Sequence, residues 1–266
     1  MSLTAPAEPA ATGPEHALVK SAERTIRILE TLAESPTPLT LSQLQQHLRY
    51  PRSSLHALVR TLVELKWVEG DERGLRVGIG PHALLAGTSY LDKDPALPYA
   101  HEVMEDLRAE VGHTVHLARR DGAYVIYLAS RERRDQPRLI QRVGRRLPAH
   151  LTALGQVLLA ELTRAELDTL LPAELDAYTA NSLTARSALA DELDRVRERG
   201  WAFEREQGTI GVACVAAAVG YRIPATDALS CSMPADVTEA ERDQVADAVT
   251  GHAHRLATLL RHKGIR

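Results

Sequence analysis

Residues able to do chemistry fall into three groups in this sequence. The first lies in "YPRSSLHALVRTLVELKWVE" (50–69), which holds Arg52, Ser53, Ser54, His56 and Arg60. At ~100° per residue, Leu55, Leu58, Leu62 and Leu65 share one side of a helix, while Ser53, His56, Ala57 and Arg60 fall on the other. The first side packs on a core. The second offers hydrogen-bonding groups that can meet phosphates and base edges, and Arg suits guanine O6 and N7 in a major groove. Arg52 stands at the helix start, where outward N–H groups and the macrodipole also suit a phosphate. A solvated amphipathic helix would show the same division, so the elements around it decide between the two.

The second group is "HLTALGQVLLAEL" (150–162), Glu204, Cys214 and "SCS" (230–232). A helix starting in the first of these presents the N–H groups of Thr152, Ala153, Leu154 and Gly155, a turn that favours a carboxylate or phosphate. In a strand, Ser230 and Ser232 point to one face and Cys231 to the other, and two hydroxyls so spaced can hold a small polar ligand. Cys214 sits in a neighbouring apolar run, and Glu204 ends a short strand-like piece. Each has a plainer role available: a small core cysteine, an exposed glutamate, solvent-facing serines.

The third group supports less. His113, His116 and His150 do not make a metal site, because two histidines three apart do not share a strand face and a site needs three or four convergent ligands. A hydrolase with Cys214 as nucleophile is the alternative function. Nothing near Cys214 in sequence supplies a local base motif, so no catalytic residue is assigned and no cofactor is expected. The run "ASRERRDQPRLIQRVGRR" (129–146) sets Arg131, Arg133, Arg134, Arg138, Arg142, Arg145 and Arg146 against Glu132 and Asp135. It could meet DNA or an acidic surface, but a solvated loop and edge strand, or a subunit contact, explains it more simply.

Composition limits what can position these groups. The 266 residues, 44% hydrophobic, suit two modest domains or one large one. A net charge of −3 means that any nucleic-acid binding comes from a local patch. Two cysteines in apolar surroundings indicate a reducing compartment. The N-terminus lacks the basic start and apolar core of a signal peptide, and the longest apolar run, "VACVAAAV" (212–219), is of strand length. A soluble, cytoplasmic protein with no membrane partner is expected.

Along the chain, residues 1–18 suggest a disordered tail. A helix begins near Ser21 with a stripe of Ile26, Leu29, Leu32 and Ala33. Thr40 and Gln43 form a capping box for a short second helix, and Pro51 suits the first turn of a third. "VEGDERGLRVGIG" (68–80) is a hairpin carrying Arg73 and Arg76, placed where a wing touches phosphate or the minor groove. Residues 19–80 thus have the order of a winged helix-turn-helix. A helix and linker occupy 81–96, and 97–266 form a second domain.

That domain opens with a helix at 97–111 stopped by Gly112. A hairpin follows, flanking Asp121-Gly122 with a type I′ turn expected, and then a strand at "RLIQRV" (138–143). Helices start at 152, after a Thr163–Glu166 cap, and after Thr184. Strands at 212–219 and 226–232 precede a last helix capped by Thr238 and Glu241. Paired strands interrupted by helices favour an α+β fold with a mainly antiparallel sheet.

Taken together, these segments resemble the IclR-type transcriptional regulators. "YPRSSLHALVRTLVELKWVE" is similar to that family's recognition-helix signature. "VGRRLPAHLTALGQVLLA" (143–160), "GWAFEREQGTIGVACVAAAV" (200–219) and "ALSCSMP" (228–234) resemble three further family motifs, in order and with the right gaps over 18–262. The resemblance implies a winged helix-turn-helix followed by a mixed, mainly antiparallel, GAF/PAS-like effector domain. It implies a pocket lined by the amides of Ala153 and Leu154 with Glu204, Cys214, Ser230 and Ser232. It also implies a small organic-acid or sugar-acid effector, double-stranded operator DNA with palindromic symmetry, a homodimer or dimer-of-dimers tetramer, and action as a repressor. The chain departs from the family pattern at Arg49-Tyr50-Pro51, where Gly-Leu-Pro is usual, at Ala57, commonly Arg or another polar residue, and at Glu204, more often Asp. The first two imply a private operator sequence and the third a reshaped pocket.

Overall fold

The computed structural model describes residues 18–71, 74–133 and 143–266. The proposed tail, save Leu18, and the strand at 138–143, save Val143, lie outside the described residues, as do Arg73, Arg134, Arg138 and Arg142. The chain divides into two compact units, one ending at Lys93 and one starting at Asp94.

The first unit runs α1 (Lys20–Glu34), β1 (Leu39–Thr40), α2 (Leu41–Leu48), α3 (Arg52–Glu64), β2 (Val68–Gly70), β3 (Arg76–Ile79) and α4 (Pro81–Asp92). Its three short strands form an antiparallel sheet in the order β1-β3-β2. The Thr40 hydroxyl accepts the Gln43 N–H, and the Gln43 side chain accepts the Thr40 N–H in return, which starts α2. Arg49 ends it in the left-handed region at φ 54, its N–H bonded to the Gln45 carbonyl. A glycine would hold that position with no Cβ penalty. Pro51 is the N-cap of α3 rather than its first helical residue: it is extended, with ψ 132, and its carbonyl accepts the Leu55 N–H.

The core of this unit corrects two apolar stripes. In α1, Ile28 and Leu32 are buried, while Ile26 is 56% exposed and Ala33 is exposed. Positions four apart stack on one face, and Ile26 lies about 200° round the helix from Ile28. In α3 the buried residues are Leu55, Val59 and Leu62. Leu58 is half-buried, and Leu65, the C-cap, leaves the apolar face. No described residue of α4 is buried, and Leu84, Leu85 and Tyr90 are exposed on it.

The second unit contains α5 (Leu97–Val111), β4 (Thr114–Asp121), β5 (Tyr124–Arg131), β6 (Arg146–Pro148), a 3₁₀ turn (Ala149–Leu151), α6 (Ala153–Ala160), α7 (Arg164–Leu170), α8 (Arg186–Arg199), β7 (Ala202–Arg205), β8 (Val212–Ala218), β9 (Asp227–Pro234) and α9 (Glu239–His262). The six strands form one antiparallel sheet, ordered β6-β5-β4-β9-β8-β7. Helices α5 and α9 pack on one face, and α6 with α8 on the other. The chain is therefore α+β: a helix-turn-helix unit, followed in sequence by a unit built on an antiparallel sheet.

Three local expectations change here. Asp121 pairs with Tyr124, so the two central turn residues are Gly122 and Ala123. Only Gly122 has positive φ, at 60, which is the type II′ pattern rather than I′. Ala185, not Thr184, is the N-cap of α8, with no side-chain cap. The linker ends sooner than 96, because Asp94 and Ala96 are buried. Asp94 accepts the Ala96 N–H through one carboxylate oxygen and the Arg119 guanidinium through the other. Arg119 also grips Asp227 with two bonds of 2.7 Å, and Asp227 accepts the Tyr221 hydroxyl at 2.6 Å.

Candidate functional site

Strand register gathers residues that are far apart in sequence. Glu204 pairs with Cys214, and Cys214 with Ser232, so the three share one face of the sheet. Two residues along, Ser230 lies between Ala216 and His116 on that same face. The Cys214 Sγ is 3.3 Å from the Ser232 Oγ. Cys231 pairs with Val115 and Val215 on the opposite face and is fully buried. Burial, reinforced by Glu241, pushes its thiol up to about 12, which leaves it unreactive at neutral pH.

Over this face sits the start of α6. Thr152 is its N-cap, and the Thr152 hydroxyl accepts the Gly155 N–H at 3.0 Å. Its own N–H bonds back to the Ala149 carbonyl. Of the four amides expected to face a ligand, Thr152 and Gly155 are therefore committed locally. Ala153 and Leu154, in the first helical turn, have no acceptor four residues back within the helix. Gly155 is required by a close approach: a Cβ there would collide with the backbone of Ala149.

Ala153, Leu154, Glu204, Cys214, Ser230 and Ser232 all line one cavity. Its volume is about 20 Å³, room for about one water, so anything larger must push the walls apart. Residues not singled out in the sequence complete it: Tyr127, Leu147, Leu151, Gly208, Thr209 and Val212. The alternation of β5 marked Tyr127 as facing one side, but only the sheet order shows which side.

The segment 206–211 between β7 and β8 contributes Gly208 and Thr209 and is held by polar contacts. Glu204, buried, accepts the Gln207 N–H at 2.9 Å. The Gln207 side chain accepts from Gln156, and Thr179 and Ser182 donate to the carbonyls of Glu206 and Gln207. Gln156, fully buried, also donates to the His150 carbonyl.

The His150 ring makes a separate bond, its Nε2–H donating to the Asp176 carbonyl at 2.9 Å. Burial lowers its pKa, opposed by that hydrogen bond. The folded state therefore holds a neutral ring, while the unfolded chain takes up a proton near pH 6.5. Stability is expected to fall as pH drops below about 6.5, by the equivalent of at most one proton. Urea melts at pH 7.5 and 5.5 on wild type and His150→Asn test this: the variant should lose less on acidification. Equal losses would remove His150 as the cause.

The other two histidines weighed as metal ligands are engaged separately, His113 with Glu241 and His116 with Ser130. His116 also meets the Tyr127 ring edge-on.

In the first unit, Arg52, Ser53, His56 and Arg60 are exposed. Ser54 is half-buried and accepts from the Arg24 side chain of α1 at 3.3 Å, so it braces the helix as well as bordering its exposed face. Arg76 is exposed and donates to the Pro38 carbonyl, which fixes its direction at the base of the hairpin. Ser53, His56 and Arg60 share a concavity of about 510 Å³ with Gly70, Gly74 and Val77, between α3 and the β2–β3 hairpin.

Comparison with known proteins extends over both units. The family model described as the IclR helix-turn-helix domain matches residues 21–72, and the model of the bacterial transcriptional regulator IclR C-terminal domain matches residues 88–258. The HTH-type transcriptional regulator XynR of Escherichia coli is 30% identical over 203 residues, covering 76% of this chain and 81% of XynR. The transcriptional repressor IclR of E. coli is 30% identical over 79% of this chain and 77% of its own length. The repressor BlcR of Agrobacterium tumefaciens superposes with a TM-score of 0.59 at 29% identity, covering 93% of this chain and 98% of BlcR. An IclR homologue from Microbacterium hydrocarbonoxydans, solved in complex with 4-hydroxybenzoate, shares the fold with a TM-score of 0.73 at 22% identity over 91% of this chain and 99% of that one.

Proposed function

Since this chain belongs to the IclR family of bacterial transcriptional regulators, a DNA-binding helix-turn-helix joined to an effector domain and not a hydrolase, we propose that it represses transcription from a palindromic operator until a small carboxylate-bearing metabolite enters the second unit. The observation that carries this reading is the convergence of two helix-start amides, a buried carboxylate, a thiol and two hydroxyls on one cavity. Amides at a helix N-terminus suit a carboxylate, and hydroxyls with Glu204 suit the donors and acceptors on the rest of an organic or sugar acid. The ligand of the Microbacterium protein is such an acid.

Arg52, Ser53, Ser54, His56 and Arg60 on α3, with Arg73 and Arg76 of the hairpin, are the proposed DNA contacts. One module of modest charge binds weakly, so two copies on the two half-sites of a palindrome supply affinity and spacing. A homodimer, alone or doubled into a tetramer, provides them, and the exposed Leu84, Leu85 and Tyr90 of α4 offer apolar surface for the pairing. The effector acts only through its differential affinity for the protomer arrangements that do and do not fit the operator.

Fluorescence anisotropy on an operator duplex, located by footprinting upstream of the protein's own gene, tests both halves. Arg60→Ala should weaken specific binding by about 10- to 100-fold. Arg52→Ala should weaken all duplexes alike and reduce the salt slope by about 1. Ser230→Ala and Glu204→Gln should leave DNA affinity unchanged and blunt release by the metabolite. Equal loss of DNA binding in both pairs, with equal loss of melting temperature, would refute the division of labour.

A further inference from the structure

A cavity with room for about one water admits a metabolite only if part of its wall moves. Resting on the reading of this cavity as the effector site, we propose that the moving part is the turn 206–211 between β7 and β8, and that Thr179 and Ser182 latch it shut. The other walls are bound into regular structure. Glu204, Cys214, Ser230 and Ser232 lie in paired strands, as do Tyr127 and Leu147. The start of α6 is pressed against the backbone of Ala149 at Gly155. Moving any of these parts a ladder or unwinds a helix.

The turn is built differently. Its backbone is tied to the strands at its two ends, through the Glu206 N–H to the Val212 carbonyl and the Ala235 N–H to the Gly211 carbonyl. Glu206, at φ 57, and Gly211, at φ 80, stand at those ends in the left-handed region, and they are the pivots. Between them, side chains do the holding. Glu204 accepts the Gln207 N–H, and Gln156 donates to the Gln207 side chain. Thr179 donates to the Glu206 carbonyl, and Ser182 to the Gln207 carbonyl at 2.8 Å. The segment carrying these two hydroxyls is itself anchored, by the bond from His150 to the Asp176 carbonyl and by buried Leu175. Ile210, near the tip of the turn, is 77% exposed, so solvent lies beyond it in the protomer. A bond to a hydroxyl near the surface is exchanged for one to water at small net cost, which makes this turn a natural site of local opening. When it swings out, Glu204 gives up the Gln207 N–H, and a donor on the ligand takes that place. One buried carboxylate thus holds the closed door and the occupied cavity in turn.

The chain carries its own reporters. Cys214 lines the cavity, and iodoacetamide is larger than the space beside it. Cys231, fully buried on the opposite face of the sheet, reports general unfolding. The test is alkylation of the full chain by iodoacetamide, followed peptide by peptide in a mass spectrometer, with hydrogen exchange measured on the same variants. Wild-type Cys214 should react far more slowly than a free thiol, at a rate set by the open fraction. Thr179→Val and Ser182→Ala should each speed its labelling about fivefold. Gly208→Ala should speed it more, because the new Cβ would lie 2.9 Å from the Leu151 carbonyl oxygen and wedge the turn away. Exchange across 206–211 should rise in step, while Cys231 stays unlabelled. Free reactivity of Cys214 in wild type, or rates untouched by the three variants, would overturn the proposal. So would Cys231 labelling that rises in parallel, which means general loosening, and faster Cys214 labelling without faster exchange in 206–211, which means that another wall opens. No effector enters these measurements, so the door can fail while Ser230→Ala still blunts the metabolite response, and the effector reading can fail while the door stands.

Discussion

Replacing Arg119 with methionine is expected to lower the stability of the second unit by about 3–5 kcal/mol, among the largest effects of any single substitution here. The guanidinium lies between Asp94 and Asp227, whose side chains are 4% and 2% exposed. Methionine fills much of the volume and removes the charge, leaving two buried carboxylates whose remaining donors, among the described residues, are the Ala96 N–H, the Thr226 hydroxyl and the Tyr221 hydroxyl. The damage comes from the stranded charges rather than from the lost attraction. A triple variant with Asp94→Asn and Asp227→Asn should therefore recover a good part of the loss, although it has fewer charges to pair. Urea unfolding of the three proteins measures this. A loss below about 1 kcal/mol for Arg119→Met would show that the cluster is solvated well enough to do without its cation.

The second large effect is expected at Gly155. Alanine is normally the better helix former, so a surface position in α6 would gain from the change. Here the new Cβ would run into the carbonyl oxygen, Cα and carbonyl carbon of Ala149, all backbone. Either the 3₁₀ turn Ala149–Leu151 moves outward or the first turn of α6 unwinds, at a cost of about 3 kcal/mol. Both outcomes displace Leu151, Ala153 and Leu154 from the cavity. Gly155→Ala should thus lose stability and small-acid binding together, seen by melting and by titration on the same sample. Unchanged melting would mean that the turn yields more easily than its close contact implies.

Features written in local chemistry were legible from sequence. The capping boxes at Thr40–Gln43 and Thr163–Glu166 form as the spacing requires, and Gly112 ends α5 in the left-handed region. Where two residues satisfied one local rule equally well, the sequence could not choose. Ile26 and Ile28 both fit an apolar stripe, and packing against the rest of the unit selects Ile28. Asp121-Gly122 marks a hairpin, but pairing of Asp121 with Tyr124 moves the turn by one residue and changes its type. The cavity follows the same division. The alternation of Ser230 and Ser232 is local, while their meeting with Cys214 and Glu204 depends on the order β9-β8-β7, which no spacing in the chain encodes. Thr152 and Gly155 looked like ligand donors because a helix start exposes amides in general, and only the geometry of the preceding turn shows that their N–H groups are already used.

The narrowness of the cavity beside Ser230 has a kinetic consequence. If space for a metabolite appears only when the walls part, the association rate cannot keep climbing with concentration; it levels off at the frequency of opening. The regulator then acts as a delay element, ignoring short pulses of its signal and answering only those that outlast the wait for the door.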